Sequence, residues 1–219
     1  SADVLEALSI PLDLDPERAV RQFESANFTF LFAPAYNPAI AHVQPVRKAL
    51  GVSTLFNTMG PLLSPARPEF QIMGIANPAQ GQLIAETMRE LGRTRALVVH
   101  GAGTDELAVH GESEIWELDP EGNISHYTIT PEDLGLTRHS LEDLRGGDGE
   151  ENAAAMRATF AGEGPQAHRD AIAAAAGAMF YLYGTCDSIA EGVTHAQRLL
   201  DDGTVQEWLR RHEEADYSG

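Results

Sequence analysis

Arg95-Ala-Leu-Val-Val-His-Gly-Ala-Gly-Thr-Asp-Glu106 is the stretch whose reading decides the fold. The run Ala96–Val99 is continuously apolar, closes on the β-branched pair Val98-Val99, and ends abruptly in a glycine loop. A short run of this kind after a helix-like segment suits a strand buried on both faces of a parallel sheet. In open α/β sheets, ligands sit just beyond the carboxyl ends of the strands. Gly101 and Gly103 let the backbone bend there and approach a ligand closely. Asp105 and Glu106 close the loop with two adjacent carboxylates. Such a pair suits Mg²⁺, a hard cation that takes oxygen ligands and keeps several waters. The plainer alternative is a solvated pair, because the chain carries 33 acidic residues.

Outward from this stretch, composition limits the classes open to the chain. Its 219 residues allow one large domain or two small ones, and 43% hydrophobic content supports a real core. No apolar stretch approaches the ~20 residues of a membrane span, and no secretory signal is visible. The single cysteine, Cys186, excludes a disulfide within one chain. The net charge of −18 opposes general binding to nucleic acid or to an anionic membrane. Lys48 is the sole lysine among 15 basic residues. Adaptation to high salt and an arginine-favouring genome both account for that bias.

In chain order, a helix starts at Ala2 with Ser1 as its cap and stops before Pro11. A second helix covers 15–25, capped by Asp15 with Pro16 in its first turn. The aromatic run 27–33 reads as buried. Asn37-Pro38 opens a third helix to about Leu50, with Ile40, Val43, Val46 and Leu50 on one face. Residues 53–57 read as a strand, and 59–65 as a loop of fixed geometry. Strand 70–75, helix 78–91 and the central strand follow, a pattern suited to a mixed or parallel sheet packed on helices. Two strands flank the turn Asp119–Asn123. Pro131–Leu136 forms a helical turn. Helices are expected at 150–161, 165–183, 187–202 and 204–213, the Ala-rich 165–183 being the core helix against the sheet. His110, His126 and His139 read as surface residues, and Trp116 and Trp208 as anchors of the core or of helices. Cys186 has no pattern of a nucleophile around it.

Several blocks, taken together, resemble anthranilate phosphoribosyltransferase. They include Ser-Ala-Asp-Val-Leu-Glu-Ala-Leu at 1–8, Phe-Leu-Phe-Ala-Pro at 30–34 and Pro-Val-Arg-Lys-Ala-Leu-Gly at 45–51. Phe-Asn-Thr-Met-Gly-Pro-Leu-Leu-Ser-Pro at 56–65, Val-Val-His-Gly-Ala-Gly-Thr-Asp-Glu at 98–106, Thr-Pro-Glu-Asp-Leu-Gly-Leu at 130–136 and Gly-Gly-Asp-Gly-Glu-Glu-Asn at 146–152 complete the series. Any one block is weak, whereas the ordered set is specific. The resemblance implies an α/β fold with a mixed, largely parallel sheet flanked by helices. One domain spans 1–219, and residues 15–50 contribute to a small helical domain. In the family, a GTGGD pyrophosphate loop and a KHGN segment precede the part that this chain resembles. The chain therefore looks like the C-terminal two-thirds of an enzyme, inactive or nearly so by itself.

The implied reaction transfers the phosphoribosyl group of phosphoribosyl pyrophosphate to the amine of anthranilate, in tryptophan biosynthesis. By position, Asp105 and Glu106 match the acidic pair that binds Mg²⁺. Arg47 matches the arginine that meets the anthranilate carboxylate, which suits a planar guanidinium fork. Its plainer reading is an exposed cation at a helix C-terminus. Gly60 and Pro61 match the loop lining the anthranilate channel. Asn37 stands where many members carry His, and it reads either as a carboxylate donor or as a helix cap before Pro38. His100 supports the acidic loop. The expected arrangement sets the acid pair and Arg47 beside one cleft. A cytoplasmic homodimer is implied, with no nucleic acid or membrane partner. The alternatives are a pyrimidine nucleoside phosphorylase-like enzyme and a non-catalytic member that binds nucleic acid, which the net charge opposes.

Overall fold

The computed structural model describes residues 2–12, 14–37 and 55–214, with the side chains of 34, 55–58 and 214 excepted. The chain divides into two compact units. The first comprises residues 1–67, 146–155 and 206–219, and the second residues 68–145 and 156–205.

The first unit is helical. Helix α1 (Ala2–Ala7) ends where Ser9 turns left-handed, φ 57°, and the Ile10 amide reaches back to the Leu5 carbonyl at 2.8 Å. That return is a helix C-terminal cap, and it stops α1 before Pro11. Leu8, Ile10, Leu12 and Leu14 are buried after it. Helix α2 (Pro16–Ala26) begins as expected: the Asp15 side chain accepts from the Arg18 amide at 2.9 Å, and Pro16 takes the first position. Asn27, left-handed at φ 53°, closes it.

The aromatic run that follows is extended but half-buried, and it joins no sheet. Its rings find local partners instead. Phe28 meets Trp208 edge to face at 5.5 Å, and Phe30 stacks on Phe32 at 6.4 Å. Helix α3 (Ala33–Tyr36) is one turn long, and the Tyr36 hydroxyl donates to the Leu14 carbonyl at 2.7 Å. The helix expected from Asn37-Pro38 to Leu50 lies outside the described residues.

The strand expected at 53–57 is corrected: helix α4 (Leu55–Leu62) occupies its described part, and the expected loop 59–65 begins inside that helix. The reason lies in a longer window. Leu55, Phe56, Met59, Leu62 and Leu63 recur at helical spacing, which the five residues 53–57 are too few to show. Pro61 sits in the last turn, where little helix remains for it to break.

The second unit is α/β. Strands β1 (Phe70–Gly74), β2 (Arg95–Gly101), β3 (Ser113–Leu118) and β4 (Ile124–Ile129) form one sheet in that order. β1 and β2 run parallel with Ile72 beside Leu97. β3 and β4 add antiparallel, with Val98 beside Trp116 and Trp116 beside His126. The sheet is mixed, as expected, but parallel pairing among the described strands is confined to β1–β2. Short connections explain that, because a parallel neighbour needs a crossover of a dozen or more residues.

That crossover is helix α5 (Gly81–Glu90), entered by a 3₁₀ turn at Pro78–Gln80. Gly81 lies so close under the Trp116 ring that a side chain there would overlap it. The opposite face of the sheet carries Leu97, Val99 and Ile115. It packs on helices α7 (Gln166–Tyr183) and α8 (Ile189–Asp201) through Ala173, Ala174, Ala178, Leu182 and Val193. α7 and α8 approach closely because Gly177 and Gly192 face each other's backbones. Helices α6 (Gly149–Phe160) and α9 (Thr204–Glu214), with 3₁₀ turns at Glu132–Leu134 and Glu142–Leu144, complete the described elements. The Ala-rich helix is thus the core helix, as its composition predicts. No helix among the described residues is long and apolar enough to cross a membrane.

Candidate functional site

The acid pair stands at the carboxyl ends of the two parallel strands. β2 runs into a tight reversal in which Gly101 and Thr104 exchange both backbone hydrogen bonds, at 3.0 and 2.9 Å. The central residues Ala102 and Gly103 are both left-handed, φ 46° and 91°. That is the geometry of a type I′ hairpin turn. The Thr104 hydroxyl locks it by donating to the Gly101 carbonyl at 2.7 Å.

The chain then lies back across the strand ends. The Asp105 carbonyl occupies the space a side chain on Gly74 would need, and the Glu106 carbonyl does the same at Gly101. Leu107, Ala108 and Val109 bury themselves again. The Ala108 amide donates to the Ser113 hydroxyl at 2.9 Å, and the His139 amide to the Val109 carbonyl at 2.8 Å. Asp105 and Glu106 are the exposed residues between these anchored flanks.

Although the residue as a whole is exposed, partial burial of its carboxyl raises Glu106 above its ordinary range, and the charge of Asp105 adds to the rise. Two carboxylates that repel each other at a strand end form an acceptor-only donor set. Among the described residues no group of three or more His, Cys, Asp or Glu converges on one point. A pair with room for outside oxygens fits Mg²⁺, which is held by one or two carboxylates plus water and phosphate oxygens. It fits neither Zn²⁺ nor a fully caged Ca²⁺. His100 stands next to the last residue of β2. Its Nδ1 lies 2.9 Å from the Ile75 carbonyl, so that nitrogen carries the hydrogen and ties the end of β1 to β2.

The residues expected at a substrate channel fall in the first unit. Asn37 closes α3 in an extended conformation, its amide donating to the Ala33 carbonyl at 2.9 Å. Asn37 and Gly60 line one small pocket, together with Leu31, Tyr36, Leu63 and Ser64. Pro61 follows Gly60 in α4. Arg47 lies outside the described residues. Tyr36 and Ser64 carried no sequence signal of their own. Nor did Gly74, which ends β1 and meets a partner far along the chain, the Asp105 carbonyl.

Of the other histidines, His126 is exposed and stacks on Trp116 at 4.4 Å. His139 is corrected from its surface reading: its side chain is 13% exposed and bonds the buried Asp170 at 2.7 Å. That partner lies 31 residues away in α7, beyond any local pattern. Trp208 anchors α9 against Phe28, as expected of it.

Comparison with known proteins now bears on this geometry. The chain is 75% identical over 217 residues to an anthranilate phosphoribosyltransferase of Corynebacterium aurimucosum, covering 99% of this chain and 63% of that protein. It is 72% identical over 218 residues to the enzyme of that name from Corynebacterium glutamicum strain R, again covering 63% of it. The crystal structure of anthranilate phosphoribosyltransferase from Thermus thermophilus is 44% identical, with a TM-score of 0.87, over 97% of this chain and 63% of that one. The Saccharomyces cerevisiae enzyme in complex with PRPP and Mg shares the fold at 23% identity, TM-score 0.85, over 97% of this chain and 61% of that one. The chain therefore spans a little under two-thirds of the length of these relatives. A family model described as "Glycosyl transferase family, a/b domain" matches residues 1–206, and the chain belongs to that family.

Proposed function

We propose that this chain carries the cation-binding and acceptor-binding residues of an anthranilate phosphoribosyltransferase. The reaction joins the amine of anthranilate to C1 of phosphoribosyl pyrophosphate, giving N-(5-phosphoribosyl)anthranilate and pyrophosphate. The observation that carries the reading is the acid pair held at the carboxyl ends of β1 and β2, in a chain 75% identical to an enzyme of that name.

In this reading Asp105 and Glu106 hold Mg²⁺. When bound, the ion supplies charge neutralisation for the diphosphate leaving group. The C1–O bond to pyrophosphate breaks as the C1–N bond forms, and the amine proton leaves to solvent. The aromatic amine is a free base near neutral pH, so positioning matters more than a strong general base. Arg47 grips the anthranilate carboxylate through its guanidinium fork. Asn37, Gly60 and Pro61 line the approach, a role supported for Asn37 and Gly60 by the pocket they share. Residues 15–50 belong to a helical domain. The working assembly is a cytoplasmic homodimer.

The test is loss of anthranilate fluorescence in the presence of phosphoribosyl pyrophosphate and Mg²⁺, with the product of the coding region that contains these 219 residues. Arg47→Ala is expected to raise KM for anthranilate roughly 10- to 100-fold, the loss of about 1.5–3 kcal/mol of charged hydrogen bonding. Undiminished turnover by the Asp105→Asn/Glu106→Gln double variant would overturn the reading.

A further inference from the structure

The cation ligands do not hold their own position. Asp105 and Glu106 follow a turn of two left-handed residues and lie across the strand ends as backbone. Three glycines outside the acid pair make that path possible. A methyl on Gly74, the last residue of β1, would collide with the Asp105 carbonyl. A methyl on Gly101, the last residue of β2, would collide with the Glu106 carbonyl and the start of Ala108. A methyl on Gly111 would press the methyl of Ala102 at the turn itself. None of the three is left-handed, so backbone conformation does not explain why glycine stands there. Close approach of the acid loop does.

We propose that Gly74, Gly101 and Gly111 are positioning residues that seat the Asp105–Glu106 pair for its cation. The proposal rests on the reading of that pair as the Mg²⁺ site. Groups that support metal ligands from behind commonly control affinity about 10- to 100-fold. Here the support is close backbone packing that the missing side chains permit, rather than a hydrogen bond. A side chain there moves the backbone that carries both carboxylates.

The test uses Mn²⁺ as the probe and chain 1–219 as the protein, with binding read from water-proton relaxation at low salt. The component that Asp105→Asn/Glu106→Gln removes defines the site. Gly74→Ala is expected to weaken that component about tenfold. Gly111→Ala touches only the exposed turn, so it keeps the test open if Gly74→Ala does not fold. Its expected loss is roughly two- to fivefold, below that range. Gly81→Ala is the control, because its methyl strikes the Trp116 ring on the α5 face and leaves the loop alone. Wild-type affinity in both Gly74→Ala and Gly111→Ala overturns the proposal. So does an equal loss in Gly81→Ala, which would make the effect plain destabilisation. If the wild type and the double acid variant bind Mn²⁺ alike, the cation site itself is refuted, a different failure from the other two.

Discussion

Removing the Glu117 charge should cost the α/β unit about 3 kcal/mol, near the lower end of the range for breaking a buried ion pair. Glu117 lies on β3, its side chain 11% exposed. It accepts hydrogen bonds from the Tyr127 and Tyr181 hydroxyls, each at 2.7 Å, and its ion pair with Arg95 spans 3.4 Å. Arg95 in turn donates to the Tyr181 carbonyl at 3.1 Å, and its guanidinium carbon sits 4.8 Å from the Tyr181 ring centroid. The Arg95 Nε is buried without a hydrogen-bond partner, so the guanidinium depends on Glu117 for its counter-charge. Glu117→Gln keeps the shape and one acceptor oxygen. It loses a charged acceptor, worth about 1.5–3 kcal/mol, and strands a desolvated cation.

The assay is urea unfolding followed by Trp116 fluorescence in a Trp208→Phe background. A double-mutant cycle with Arg95→Met should return a coupling of about 1–3 kcal/mol, as directly contacting groups do. A loss below ~1 kcal/mol together with a coupling below ~0.5 kcal/mol would refute the reasoning. The network also sets an alkaline limit. Burial first, and then the bond to Glu117, raises the Tyr127 and Tyr181 hydroxyls above their ordinary value of 10.0. A group with a raised folded pKa stabilises fully below its unfolded pKa and less as pH rises. Stability should therefore start to fall as pH passes 10.0.

Asp15→Ala removes the cap of α2 and should cost about 1 kcal/mol in thermal unfolding, whereas no loss would mean that Pro16 alone sets the helix start. Glu106 is an acid with a raised folded pKa, so its contribution favours folding below the unfolded value of 4.5 and is lost as pH rises through the folded one. Glu106→Gln should thus be more stable than the wild type near neutral pH without divalent cations, and millimolar Mg²⁺ should narrow the gap. A Glu106→Gln protein that melts below the wild type under those conditions would contradict the repulsion assigned to the pair.

The parts of the fold that were legible share one property: their signal is local. The run Ala96–Val99, the cap at Asp15 and the turn at Asp119 each rest on residues a few positions apart. At that turn the Asp119 carboxylate accepts from the Asn123 amide at 2.8 Å. What stayed hidden depends on distant partners. Glu117 stands among Ile115, Trp116 and Leu118, where strand alternation gives no hint that Tyr181, 64 residues later, will cover it. His139 hides for the same reason, since Asp170 lies a helix away. The aromatic run 27–33 reads as buried because of its residue types, yet burial needs a surface to cover it and its described partners cover it by half. At the candidate site, the acid pair was legible as chemistry. Its seating was not, because the Gly74 contact reaches across the whole of α5 and β2 to Asp105.

The strain in the structure is informative about where function lies. Ser9 and Asn27 are left-handed non-glycine residues at helix ends, where that conformation ends a helix and satisfies its carbonyls. Ala102 has no such task. It sits in the hairpin turn, where glycine would avoid a cost of roughly 1–2 kcal/mol, and its methyl fills the space before Gly111. A few residues on, burial and then the Asp105 charge raise the Glu106 carboxyl, and no cationic side chain among the described residues lowers it in return. Backbone strain and like-charge repulsion thus fall on the same short segment, Gly101–Glu106. Elsewhere in the unit, the buried carboxylates Glu117 and Asp170 find their partners within the chain. What sets Gly101–Glu106 apart from Arg67, left-handed at φ 44° in a loop, is that strain and two adjacent carboxylates coincide there, as the proposed cation site would require.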